Sequence, residues 1–104
     1  MNSKEIVFHM PREVDQHVAS KLAEEIDRQI LLTSARQVVF DFAKTEFMDS
    51  AGVGLMIGRY RKLYCMGGKI IALNISDRFK RIFVASGLHR IIEINYENKE
   101  EKNE

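Results

Sequence analysis

Two hydrophobic rhythms alternate along this chain, and the alternation limits the folds open to it. Val18, Leu22, Ile26 and Ile30 recur every four residues, with Ala19 and Ala23 beside them and Lys21, Glu24, Glu25 and Arg28 elsewhere. That spacing predicts an amphipathic helix over about 16–33, and Asp15 stands where an N-cap belongs. Val38-Val39-Phe40-Asp41-Phe42 then makes a β-branched and aromatic run of strand length. A second helix is expected over about 51–66, with Val53, Met56, Ile57, Tyr60 and Tyr64 as its apolar stripe and Gly67-Gly68 as its stop. Lys69-Ile70-Ile71-Ala72-Leu73 reads as a strand. Ser76-Asp77 then opens a third helix, with Phe79, Ile82 and Phe83 on one face and Gly87 beyond its end. An opening strand over 5–10, ended by Pro11, and a closing one over 91–94 complete the order β-α-β-α-β-α-β. Short connections in that order predict an α/β fold, a mostly parallel sheet with helices packed on it.

At 104 residues the chain is expected to form one domain over 1–96, with a charged tail over 97–104 that has little to bury. The net charge of +1 argues against a broad electrostatic grip on nucleic acid. Its distribution is uneven: residues 51–90 carry eight Lys/Arg against one Asp/Glu, so the basic charge is regional. Cys65 is alone and offers no intrachain disulfide, which suits a reducing compartment. Without a secretory leader pattern or a run of about 18 apolar residues, a cytoplasmic location with no membrane contact is expected.

The chemistry concentrates in Phe47-Met48-Asp49-Ser50-Ala51-Gly52-Val53-Gly54, where an apolar run meets the start of the second helix. Gly52, Gly54 and Gly58 each cost a helix up to about 1 kcal/mol relative to alanine, so tight packing, a phosphate cradle or a docking face is expected to justify them. Their spacing matches neither G-x-G-x-x-G nor the P-loop. At about 100° per residue, Gly54 and Gly58 project close to Ser50 and form a flat strip leading from its hydroxyl. Ser50 itself suits three roles: helix N-cap with Asp49 as a second acceptor, hydrolytic nucleophile, or phosphoryl acceptor. Against the nucleophile, Met48 stands where a nucleophile elbow has glycine, and His9, His17 and His89 are scattered. The histidines and Cys65 show no metal-ligand spacing. Asp15, Asp41 and Asp49 are carboxylates that can meet above the strand ends. Arg59, Arg61 and Lys62 put positive charge on the second helix, with Arg59 and Lys62 expected to point to solvent, as are Arg78, Lys80 and Arg81.

The segment FMDSAGVGLMIGRY, followed by MGGKIIALNIS, FKRIF, SGL and RIIEI, resembles the anti-sigma factor antagonists of the STAS domain family, the sporulation type most closely. The resemblance runs from about Ile6 to Ile94 and implies a STAS fold with no catalytic activity and no cofactor. It implies phosphorylation at Ser50, with Ala51 leaving no second hydroxyl beside it. The REVD segment resembles the family's G-E-[LV]-D, which would place Asp15 near the serine loop, although Arg12 replaces the glycine. The family's first strand is expected to be shortened or missing, leaving an uncovered sheet edge or a stub at Met1–Lys4. Expected partners are an anti-sigma factor with GHKL-type serine kinase activity and a PP2C-type phosphatase. The expected contact set is Asp15, Asp49, Ser50, Ala51, Gly52, Gly54, Gly58 and Arg61. A stressosome or lipid-transport assembly is the alternative setting within the family.

Overall fold

The computed structural model describes residues 4–97. Strand β1 covers Glu5–His9, β2 Glu13–Val14, helix α1 Gln16–Thr33, β3 Gln37–Asp41, β4 Phe47–Met48, α2 Ser50–Cys65, β5 Lys69–Ile75, α3 Asp77–Ala85 and β6 Glu93–Tyr96, with a short 3-10 turn at Leu88–Arg90 before the last strand. The main sheet has the order β1-β3-β5-β6, and every pairing in it is parallel. A second, two-stranded sheet joins β2 to β4, also in parallel.

Parallel neighbours need crossovers, and each helix here supplies one. Of the paired strand residues, Ile6, Phe8, Val38, Phe40, Ile70, Ala72 and Ile94 share one apolar cluster with Ile26, Ile30, Leu55, Met56, Leu63, Phe79 and Phe83 of the helices. Side chains alternate across a strand, so this single parity means that the helices cover one face of the sheet. The other face carries Val7, Val39, Ile71 and Leu73, of which Val7 is 45% exposed. Phe42, just past β3, closes the core beneath α3, stacking edge-on against Phe83 at 5.8 Å between ring centres.

Two turns do the steering at the strand ends. Gly67 and Gly87 adopt positive φ of 75° and 82°, so the helix stops read from the sequence form where expected. Asn74 also takes a positive φ, 60°, and the pairing of β5 with β6 shifts register between Ala72 and Ile75. The irregularity turns Ile75 inward, where it is 1% exposed. Asn74 Nδ2 donates to Asp41 Oδ1 at 2.8 Å, tying the ends of β3 and β5 together.

Several expectations are corrected. The short strands β2 and β4 were not foreseen, and the last strand falls at Glu93–Tyr96, because Leu88–Arg90 forms a turn that buries Leu88. The core face of α2 is Gly52, Leu55, Met56, Arg59 and Leu63. Of the expected stripe Met56 is fully buried, Val53, Ile57 and Tyr60 are half-buried and pack against the core, and Tyr64 is 67% exposed. Arg59, expected in solvent, is buried: its Nε lies 2.9 Å from Asp27 Oδ1 of α1, at an angle that makes an ionic contact rather than a hydrogen bond. Lys62 Nζ meets the same carboxylate at 2.9 Å from the exposed side. The tail beyond Glu97 and the stub at Met1–Ser3 lie outside the described residues.

Burial of the Asp41 carboxyl favours its neutral form, but the hydrogen bonds from Asn74 and the Ala43 N–H, with the nearby His9, outweigh it and hold the group below the ordinary aspartate range. A carboxyl depressed in the folded state stabilises the fold above its unfolded value, and that contribution disappears as pH falls through the folded value. Asp41→Asn is therefore expected to flatten the acid side of the stability profile, measured by urea unfolding across pH 2–6. Asp27→Ala leaves Arg59 buried without its counter-charge and is expected to cost about 2–4 kcal/mol; a paired Asp27→Leu/Arg59→Met variant should recover most of it.

Candidate functional site

The site begins with a short parallel zipper between two loops. The Glu46 and Phe47 N–H groups both donate to the Arg12 carbonyl, at 2.8 and 3.1 Å, and the Asp49 N–H donates to the Val14 carbonyl at 3.3 Å. Buried Thr45 adds a bond from its hydroxyl to the Pro11 carbonyl at 2.8 Å. In register, Val14 lies opposite Met48, and both are buried. The next residue on each strand is an aspartate.

Those aspartates start the two long helices in the same way. Asp15 caps α1, accepting from the Val18 N–H at 3.0 Å, with φ −99° and ψ −172°. Asp49 caps α2, accepting from the Ala51 N–H at 2.9 Å, with φ −106° and ψ −167°. Matching backbones one step past a paired position bring the starts of both helices to one level. Each cap satisfies an otherwise orphan donor and places a carboxylate at a positive helix end.

Ser50 is the first residue of α2 and is exposed. The cap role weighed for it belongs to Asp49, so among the described residues the Ser50 hydroxyl takes no part in holding the helix. Beside it runs an open, mostly apolar groove lined by Met48, Asp49, Ser50 and Val53 on one side and Ile82, Ala85 and Ser86 of α3 on the other. No histidine lines the groove. His9 Nδ1 sits 3.3 Å from Asp41 Oδ2 and His89 Nδ1 lies 3.4 Å from the Phe83 carbonyl, so neither pairs with the serine. Asp41 is engaged with Asn74, Ala43 and His9, and does not join the other two aspartates.

The glycines divide into two kinds. A Cβ on Gly52 would stand 2.3 Å from Met48 Cγ and 3.3 Å from Val14 Cγ1, so this glycine lets α2 close onto the β2–β4 pair. Gly52 is buried, so its part in the fold is packing rather than exposed surface. Gly54 and Gly58 would meet nothing within 4 Å. They lie on the open side of α2 with Ser50, and Arg61 follows along the same line, about 16 Å away at 1.5 Å per residue. Ala51 is half-buried and faces the seam with α1, a groove also lined by Gln16, Ala19, Ser20, Ala23 and Gly54. Asp15 and Asp49 thus stand at the two helix starts joined by the β2–β4 pair, Ser50 and Ala51 follow Asp49, and Gly54, Gly58 and Arg61 lie farther along α2.

Sequence reasoning missed the rim. Phe47 is 50% exposed because in the two-residue β4 Met48 takes the inward position. Ile82, Ala85 and Ser86 join the groove through packing of α3 against the start of α2. Ile82 carries the only sequence signal of these, as a member of the α3 stripe. Among the described residues, no group of three His, Cys, Asp or Glu side chains is placed to hold a metal ion, and no helix is long and apolar enough to cross a membrane.

Chemically, the cluster offers a solvent-facing hydroxyl on a rigid helix start, flanked by two carboxylates and bordered by flat, partly apolar surface. The STAS domain family model matches residues 2–102. The chain is 32% identical over 83 residues to an anti-sigma F factor antagonist of Lysinibacillus sphaericus, covering 80% of this chain and 71% of that protein. It is 28% identical over 94 residues to the anti-sigma-B factor antagonist of Bacillus subtilis, covering 90% and 84% respectively. Among solved structures it resembles the anti-sigma factor antagonist SpoIIAA in its unphosphorylated form, with a TM-score of 0.76 at 26% identity over 99% of this chain and 89% of that one. The Bacillus cell fate determinant SpoIIAA in its phosphorylated form gives 0.72 at 29% identity, covering 98% and 90%.

Opposite outcomes are expected at neighbouring glycines. Gly52→Ala must displace the buried Met48 and should lose about 1–3 kcal/mol. Gly54→Ala meets no neighbour and should gain up to about 1 kcal/mol of helix stability. Chemical denaturation of the two variants beside the parent checks both signs.

Proposed function

The chain belongs to the STAS domain family and its anti-sigma factor antagonists, and from that premise we propose that it releases a sigma factor by binding an anti-sigma factor through the cluster at the start of α2. In this reading the anti-sigma factor is a GHKL-type serine kinase that phosphorylates Ser50 and so dismisses its own antagonist, and a PP2C-type phosphatase resets the cycle. The observation that carries the reading is the division of labour at the helix start, where Asp49 holds the cap and Ser50 faces solvent. A group that the fold does not use can be modified without unfolding the protein.

The electrostatics support a switch at this position. Phosphorylation adds about −1.5 to −2 charges beside the Asp49 carboxylate, next to the Asp15 cap across the β2–β4 pair. The positive helix ends make that charge tolerable to the host. A partner surface matched to a neutral hydroxyl meets repulsion and a desolvation cost. Gly54 and Gly58 leave room for the partner backbone, Phe47 and the groove against α3 offer apolar contact, and Arg61 is available to an acidic group farther along.

Ser50→Asp is expected to keep the melting temperature within a few degrees of the parent, because about 1 kcal/mol shifts a domain of this size by roughly 4–8 °C. The same variant should lose at least about tenfold in affinity for the co-purifying kinase, a penalty of about 1.4 kcal/mol. Ser50→Ala should bind constitutively and, with the Asp49 cap intact, lose little stability. Calorimetric titration of the three proteins against the isolated kinase checks the order. Equal affinity of the parent and Ser50→Asp would remove the proposal, as would ester turnover abolished by Ser50→Ala.

A further inference from the structure

The main sheet has two edges, and they differ. At β6 the ladder is interrupted by the shift near Asn74, and Lys80 Nζ lies over the Tyr96 ring at 5.2 Å, so that edge is irregular and partly covered. At β1 the strand is regular over all five residues, and among the described residues it pairs on one side only, with β3. The Lys4 carbonyl accepts from Arg36 and Gln37, and the Met10 N–H donates to the Asp41 carbonyl. In a parallel ladder alternate residues turn both backbone groups to the same neighbour. Ile6 and Phe8 therefore face β3, and the N–H and C=O groups of Glu5, Val7 and His9 face outward, without a strand partner among the described residues. The next outward position is Pro11, which has no N–H and ends the available edge.

The sequence of this edge complements itself. Laid antiparallel on a second copy and centred on Val7, Glu-Ile-Val-Phe-His sets each Glu5 carboxylate opposite the partner's His9, each Ile6 opposite the partner's Phe8, and Val7 opposite itself. The outward-facing residues fall at hydrogen-bonded positions, where each opposed pair exchanges both bonds. Ile6 and Phe8, half-buried in one copy, meet at the closer non-bonded positions on the helix side. Val7, 45% exposed, covers its counterpart on the open side. Slipping the pair by two residues either way leaves only three opposed positions and removes both Glu5–His9 pairs, so the centred register keeps the most contacts.

We propose that the β1 edge is a homodimerisation surface, joining two sheets into one continuous sheet through antiparallel β1–β1 pairing centred on Val7. The interface is short and the association weak, assembling at high protein concentration. It uses no residue of the Ser50 cluster, so it stands or falls apart from the proposed switch.

The test uses the full chain. Hydrogen exchange followed by NMR should show the Glu5, Val7 and His9 amides gaining protection as protein concentration rises, with Ile6 and Phe8 protected throughout by β3. In a Cys65→Ser background, Val7→Cys should form a disulfide dimer under mild oxidation about tenfold faster than a Lys21→Cys control. Glu5→Cys should cross-link with His9→Cys in a mixture and not with itself. Val7→Lys places like charges at the dyad and should remove the concentration dependence while circular dichroism shows a folded chain. Odd-numbered amides indifferent to concentration, a Val7→Cys rate equal to the control, or preferential Glu5→Cys self-linking would each overturn the proposal.

Discussion

The parallel pairing of Val14 with Met48 is the contact on which the rest of the site depends. Each strand is only two residues long, yet each ends one step before an aspartate that starts a long helix. Pairing fixes the strand ends at one level, and the caps carry that alignment into α1 and α2. Gly52 completes the arrangement by letting α2 settle against the Met48 and Val14 side chains, where an added methyl group would have to displace Met48. The exposed position of Ser50 is thus a consequence of packing beneath it. The side chain that would ordinarily cap the helix is free because its neighbour does so.

Farther along, the same two helices are held by a different kind of contact. Asp27 bridges from α1 to Arg59 and Lys62 of α2, one from the buried side and one from the exposed side. The seam is tied near its start by backbone hydrogen bonds and caps, and nearer its other end by charge. A surface clamped at both ends changes its field when a phosphate is added while its shape is retained. That is the mechanical condition which the proposed switch at Ser50 requires.

Much of this was legible in the sequence, and the failures have physical causes. Asp15, the stripe of α1, the strand runs and the stops at Gly67 and Gly87 were readable because each rests on local chemistry or on many turns of one period. The core face of α2 was read only in part, because Arg59 is charged and Gly52 has no side chain, so two of its buried positions do not look apolar. Only the ion pair with Asp27 and the closeness of Met48 make them core positions. Strands β2 and β4 are too short to show alternation, and their existence depends on a partner more than thirty residues away. The chemistry of Ser50 was visible as a set of alternatives; the choice of Asp49 as cap required the helix start itself.

The central claim is that Ser50 is the residue at which another protein writes a charge. Mass spectrometry of the chain recovered from its own cells, with and without phosphatase treatment, reads it directly. The account predicts a phosphoryl group on Ser50 in a fraction of the molecules, and its absence from those recovered in complex with the kinase. A phosphoryl group confined to another residue, or complexes equally rich in phosphorylated Ser50, would contradict it.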